Sequence, residues 1–265
     1  MDLSILSQRD KVLNLVVEKL GRTPVDFSEK RDDAWLAAGV LLLLFFRGDE
    51  LVFQLTKRAS TVPQPGDISC PGGTLNTFLD PLLRPFMTNR FSPILREDVL
   101  EYAQKRGKFT FRNVKLFLTN ALRESWEEIG LNPFNVMFLG PLPCYDLITF
   151  RRRIFPLTGF VKNEWHFRPN WEVDRIVEIP LRTFFNDENY GLCSVESSSE
   201  LKKNIARVRN FPCLIYRDEV LWGATFYIIM NFLKIVFDLE LPGSHSKRVV
   251  KKVLCPDYMT GSRKK

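Results

Sequence analysis

The chain has 265 residues, 45% of them hydrophobic, with a formal net charge of +7. That is enough apolar material for one sizeable core or two small ones. The positive balance favours anionic partners such as phosphorylated metabolites, nucleic acid or acidic lipid. Only two histidines, His166 and His245, and five cysteines without Cys-X-X-Cys spacing argue against a zinc site and a Ser-His-Asp hydrolase. With no signal peptide at the start, the scattered cysteines predict single buried thiols in a reducing, cytoplasmic compartment.

In chain order, Val12, Leu13, Val16, Val17 and Leu20 form one helical stripe over 9–20, closed by Gly21. Ala38–Phe46 and Leu51–Lys57 are strand-like runs around Arg47-Gly48-Asp49-Glu50, a hairpin by its turn residues. The apolar run Trp35–Phe46 is short of the roughly 20 residues a membrane helix needs, so no span is expected. The glycine-rich stretch 66–73 reads as a loop. Residues 74–118 make an excursion with prolines at 81, 85 and 93 that turns helical over Leu95–Lys105. A helix follows over Phe111–Ile129, then strands over Val136–Leu142, Phe150–Val161 and Arg175–Ile179. Phe184–Arg209 reads as polar loop with short helix, Phe211–Tyr216 as a strand, and Leu221–Phe237 as the closing helix. Irregular alternation of this kind predicts a mixed sheet packed between helices. The domain is expected over 1–240. Residues 241–265 hold Lys247, Arg248, Lys251, Lys252, Arg263, Lys264 and Lys265 against one acid, Asp257, and read as a solvated, partly disordered basic extension in preference to a dedicated binding arm.

The chemistry concentrates in Arg123-Glu124-Ser125-Trp126-Glu127-Glu128-Ile129-Gly130-Leu131. At helical spacing Glu124, Glu127 and Glu128 are i, i+3 and i+4 neighbours on one face. Gly130 ends the helix and Pro133 prevents its restart. The last turn therefore carries negative charge where the helix dipole disfavours it, by roughly 0.3–1 kcal/mol each. One reading is a solvated acidic end with Arg123 paired to Glu127. The other is a cage of hard oxygens suited to Mg²⁺ or Mn²⁺. Trp126, on the side away from Glu128, is expected in the core.

This run resembles the Nudix hydrolase signature, which reads glycine, five residues, glutamate, seven residues, then Arg-Glu-apolar-X-Glu-Glu-X-Gly-apolar. The glycine is supplied by Pro71-Gly72-Gly73, but Arg123 follows Gly73 by 50 positions where the family has 14. The excursion 74–118 is thus an insertion inside the motif. The signature's first glutamate has no direct counterpart, and Asp80 is the nearest acid. Leu55-Thr56-Lys57-Arg58-Ala59-Ser60 and Pro65-Gly66-Asp67-Ile68-Ser69-Cys70-Pro71-Gly72-Gly73 resemble the extra motif of the coenzyme A diphosphatase branch. Asp67 stands there in place of Gln, Cys70 in place of Phe, and the loop histidine is absent. Glu172-Val173-Asp174-Arg175-Ile176-Val177-Glu178-Ile179-Pro180-Leu181 and Trp222-Gly223-Ala224-Thr225 resemble two later family segments.

The resemblance implies an α/β/α sandwich with a mixed β-sheet, here with an inserted, mostly helical segment. It implies hydrolysis of a nucleoside diphosphate conjugate, coenzyme A or a derivative first, with Mg²⁺ or Mn²⁺ as cofactor. Glu127 and Glu128 are the implied metal ligands, with Glu124 a ligand or the base and the Gly72 carbonyl beside them. Arg123 would orient a carboxylate, and Glu172 is the second candidate base. Arg58, Ser60 and Gly73 are the implied substrate contacts. Nucleotide sugars, dinucleotides or a capped RNA end stay open as substrates, as does a non-catalytic nucleotide or nucleic-acid binder. A homodimer is open as well. Between 81 and 118, Arg84, Arg90, Arg96, Lys105, Arg106, Lys108, Arg112 and Lys115 face only Glu97, Asp98 and Glu101. That segment reads as a phosphate-attracting lid, a solvated excursion or an oligomer contact. Arg151-Arg152-Arg153 reads as a strand whose outer two arginines share a face, either as a phosphate contact or as a wet sheet face.

Overall fold

A computed structural model describes residues 3–27, 35–197, 209–242, 248–254 and 258–261. Strand β1 (Leu36–Arg47) has the run Leu41–Leu44 with no exposure at all. A strand with no wet face belongs in the middle of a sheet covered on both sides. Strand β2 (Glu50–Arg58) returns antiparallel to β1 through the Gly48 turn. On the other edge of β1 lies the parallel strand β7 (Arg152–Val161), followed by β5 (Val136–Pro141). Strand β8 (Val173–Pro180) lines the far edge of β2, and β6 (Tyr145–Leu147) pairs antiparallel with the start of β7.

The hairpin of β1 and β2 pairs only over Leu43–Arg47 and Glu50–Gln54. Beyond that its arms part, and two short strands fill the fork. Strand β3 (Ile68–Ser69) pairs with β2 at Thr56, and β4 (Gly72–Thr74) pairs with β1 through Gly39 and Gly73. The expected glycine loop is therefore sheet structure at both ends. Its bend is fixed in the middle of the fold.

Helix α4 (Lys108–Ile129) crosses this sheet over β1 and β4, ending at Gly130 in the left-handed conformation. The Phe117 ring stacks on Phe155 of β7 at 3.7 Å, and Phe27 meets both edge-on. Helix α1 (Arg9–Arg22) covers β5 with the apolar stripe expected of it. Helix α5 (Gly223–Phe237) begins at the Trp-Gly-Ala-Thr segment, and its Phe232 packs on Phe53 of β2. The outcome is a mixed α/β fold with sheet between helices, the class expected. No helix among the described residues is long and apolar enough to cross a membrane.

Several expectations need correction. The excursion forms α2 (Leu79–Met87) and α3 (Glu97–Lys105), and α4 begins at Lys108, inside the expected insertion. Arg106 donates to the carbonyls of Leu20, Gly21 and Thr23 at 2.5–3.0 Å. It caps the end of α1 and is not a lid cation. The stretch expected as polar loop contains β9 (Tyr190–Ser197), because Cys193 and Val195 pack with Cys213 and Ile215 in a small apolar cluster. Its residues 198–208 lie outside the described part. The basic extension is not simply solvated. Its strand β12 (Val249–Leu254) runs parallel to β9 and completes a second sheet in the order β11 (Glu219–Trp222), β10 (Arg209–Tyr216), β9, β12. Lys247, Asp257 and 262–265 fall outside the described residues.

Candidate active site

Asn120 places α4 against the fork. Its side-chain oxygen accepts from Gly39 N at 2.8 Å, and its Nδ2 donates to Thr74 O and to Asp80 Oδ2. One turn later, Glu124 lies so close to β4 that a Cβ on Gly73 would sit 2.5 Å from its carboxyl carbon. Gly72 has φ +143°, and a Cβ there would strike Gly39 O at 2.3 Å. Gly72 thus accepts only glycine, while at Gly73 a side chain would have to displace the Glu124 carboxylate. The Gly72 amide donates to Glu128 Oε2 at 3.2 Å. The acidic helix face and the glycine bend, 56 positions apart, thus meet directly.

Asp80, the nearest acid after the glycines, reaches the same cluster. It is fully buried and accepts from Arg123 Nε at 2.7 Å and Nη2 at 3.3 Å. Arg123 also donates to Glu124 Oε1 and to Glu127 Oε2, each at 2.8 Å. Burial pulls the Arg123 pKa down, but Asp80, Glu124 and Glu127 more than reverse it, and the net shift is upward. The expected Arg123–Glu127 pair is present, and so is the acidic cluster; one arginine serves both.

Glu128 is the member that Arg123 does not hold. It is 7% exposed, and burial, with Glu124 and Glu172 adding repulsion, pushes its carboxyl up to about 8 against the pull of Gly72 N–H and Arg58. The Glu124 carboxyl is also raised, by burial first and by Glu127 and Asp80, despite Arg123. Glu172 reaches the cluster because the loop after β7 folds over the end of α4. Asn170 N donates to Glu128 O, Asn170 Oδ1 accepts from Glu172 N, and Glu172 O accepts from Ala59 N, each at 2.8 Å.

Among the described residues no three His, Cys, Asp or Glu side chains converge as a metal cage requires. Arg123 draws Glu124 and Glu127 to itself, and Glu127 is half-exposed. The donor chemistry still fits a hard divalent cation. Oxygen ligands stand on a rigid helix, and a carboxyl raised mainly by burial, with its acidic neighbours adding to it, is a group that a cation would ionise.

Two cations face the carboxylates. Arg58, at the end of β2, gives its Nε to Pro63 O at 2.7 Å. Arg152 opens β7 opposite Leu36, and its Nε is buried with no hydrogen-bond partner. Burial and the Arg58 charge lower its pKa, while Glu124 raises it. The triple-arginine expectation is corrected here. Arg151 sits in a turn at φ +46°, Arg152 turns to the site, and Arg153 turns away to Asp26. Ser60 is exposed on the loop after Arg58. Trp126 is exposed, not core, because its face of α4 is not covered. Cys70 is buried and its thiol is pushed up to about 12 by burial, so it is inert. Asn120 is not singled out by the sequence: it stands in no recognisable motif, and only its buried polar contacts mark it.

No protein-family model matches the chain. A curated relative, the uncharacterized Nudix hydrolase NudL of Pectobacterium atrosepticum, is 31% identical over 113 residues. The match spans 42% of this chain and 55% of that protein, so the chain covers about half the length of the curated relative it matches. Among solved structures, a C. elegans Ap4A hydrolase binary complex shares 12% identity, with 56% of this chain and 81% of that one covered and a TM-score of 0.35. The NUDIX domain of Shewanella oneidensis NrtR complexed with ADP ribose shares 14%, with 62% and 82% covered and a TM-score of 0.35. The MutT protein from Methanosarcina mazei Go1 shares 13%, with 57% and 80% covered and a TM-score of 0.34.

Proposed function

We propose that this chain is a divalent-metal-dependent hydrolase of the Nudix type, cleaving a diphosphate linkage in a nucleoside diphosphate conjugate. The observation that carries the reading is Glu128: a buried carboxyl on the Gly72 amide, set among Glu124 and Glu172 and faced by Arg58. No structural need of a helix end explains that placement. A protein gains nothing in stability from burying mutually repelling acids.

In this reading the chain's own groups divide the work. Arg58 and Arg152 bind and orient the diphosphate, whose charge otherwise repels an oxygen nucleophile. Glu172, or a carboxylate of the helix, takes the proton from attacking water. Arg123, anchored by Asp80, sets the direction of Glu124 and Glu127. Glu124, Glu127 and Glu128, with the Gly72 carbonyl, would hold Mg²⁺ or Mn²⁺. That ion supplies neutralisation of phosphate charge and acidification of water.

Coenzyme A or a derivative is the first substrate to test, on the strength of the Arg58–Gly73 resemblance, with nucleotide sugars and dinucleotides beside it. The free, buried Cys70, Cys193 and Cys213 support a reducing, cytoplasmic setting. A second reading, a nucleotide binder without turnover, draws on the hold of Arg123 over two of the carboxylates. Incubating the protein with these conjugates in Mg²⁺ or Mn²⁺ and identifying the products separates the two. Metal-dependent cleavage between the phosphates is expected. Absence of turnover on every conjugate with both metals would leave the binder.

A further inference from the structure

Asp67 stands at the base of the loop 58–67. Its carbonyl accepts from Arg58 N at 2.9 Å, and Gly66 N donates to Arg58 O at 3.1 Å, so the two ends of the loop are closed on each other. The Asp67 side chain, 12% exposed, is gripped entirely by the C-terminal part of the chain. Trp222 Nε1, at the start of α5, donates to Oδ1 at 3.1 Å. The Lys252 ammonium of β12 donates to the same oxygen, and the buried Tyr258 hydroxyl donates to Oδ2. Lys252 lies 5.2 Å over the Trp222 ring and 6.0 Å from the Tyr258 ring centre. The backbone repeats the grip: Gln64 N donates to Tyr258 O at 2.7 Å, and Gly261 packs so closely that a Cβ there would lie 2.8 Å from Thr61 O.

Three donors on one carboxylate, from three separate elements, fix it far more tightly than a loop turn requires. The donors also select for a carboxylate. An amide offers one acceptor oxygen and turns an N–H toward a donor that has nowhere else to go. Arg58 sits at the other end of this closed loop, its guanidinium aimed by Pro63 O within the same gripped segment.

We infer that Asp67 is a positioning residue for the Arg58 loop, and that β12 with Tyr258 is an integral support of that loop, not an appendage to the domain. The inference rests on the reading of Arg58 as a diphosphate contact and deepens it: the substrate is received by a loop held in place from the far end of the chain.

The test uses Asp67→Asn and, as a milder variant that removes one hydroxyl, Tyr258→Phe, both in the full chain. Steady-state kinetics on the best diphosphate conjugate are read beside hydrogen exchange of the amides in 59–66 and the melting temperature. The KM is expected to rise about tenfold in Asp67→Asn and by a smaller factor in Tyr258→Phe, with kcat within about twofold, as for a misplaced substrate-orienting group. Exchange is expected to quicken over 59–66 and not in β1 or α4. Unchanged KM in both variants overturns the inference, as does a matched loss of kcat with exchange quickened throughout the fold. Failure of the hydrolase reading shows separately, as a wild-type protein without turnover. Unchanged exchange over 59–66 in both variants overturns the clamp whatever the activity.

Discussion

Asp80 and Arg123, 43 positions apart, form a two-point ion pair at 2.7 and 3.3 Å, with Asp80 wholly out of solvent and the Arg123 side chain only 10% exposed. Asp80 anchors the guanidinium, and the guanidinium in turn sets Glu124 and Glu127. Replacing the acid alone strands a buried charge, which typically costs about 3–5 kcal/mol. Asp80→Asn keeps the shape and one acceptor, so a loss of about 2–3 kcal/mol in urea unfolding is expected, together with lower kcat. Unchanged stability would mean that Arg123 finds its partners without Asp80.

Glu128→Gln should separate function from stability. The substitution removes a carboxyl that burial has already pushed up to about 8 and leaves an oxygen to accept from Gly72 N. Turnover is expected to fall by about a hundredfold or more, as when a group acting on the reacting water is lost. The metal-free melting temperature at neutral pH should hold or rise. Added Mg²⁺ should raise the melting temperature of the wild type and not of the variant. A variant that still gains stability from the metal would remove Glu128 from the ligand set.

Gly73→Ala tests the close approach without changing any charge. The new methyl would meet the Glu124 carboxyl at 2.5 Å, and because that group is also held by Arg123 it cannot simply swing aside. Overpacking of this sort costs about 1–3 kcal/mol. Activity should fall further than stability does. Wild-type kinetics in the alanine variant would show that β4 and α4 separate freely.

Arg106→Ala decides between lid and cap. Its three carbonyl partners at the end of α1 place it in the scaffold. A stability loss of about 1.5–3 kcal/mol is expected, the usual worth of charged hydrogen bonds, with KM unaltered. A raised KM at normal stability would restore the phosphate-attracting lid.

The acid side of the stability profile should carry a mark of Glu178. Burial raises its pKa, but hydrogen bonds from Arg47 and Gln54 outweigh this and the net shift is downward. A depressed carboxyl contributes stability above its unfolded pKa, near 4.5, and loses it as pH falls through the lower folded value. Arg47 is half-exposed, so the contribution is less than about 1 kcal/mol. Glu178→Gln should flatten the profile below pH 4.5 and change little at neutrality. An unaltered acid limb would show the pair to be energetically silent.

The elements legible in the sequence are those written in local code. The β1–β2 hairpin, the α1 stripe and the Gly130 stop of α4 each depend on spacing within a dozen residues, and each was read within a few positions of its true limits. The acidic triplet was legible for the same reason. What escaped was structure whose stabilising partner is remote. Strand β12 reads as a charged tail until β9 supplies its hydrogen bonds, and β9 itself hides between polar stretches.

Sequence alone determined the helix with its carboxylates, the glycines that must meet them and the order of the segments, because side-chain periodicity and backbone freedom are properties of neighbouring residues. Only the tertiary structure decided that Asp80 balances Arg123, that Arg152 turns inward while Arg151 does not, and that Lys252 and Tyr258 close on Asp67. Those are pairings of buried charge and hydrogen-bonding groups between distant segments, and their energy exists only once the chain has brought them out of water together.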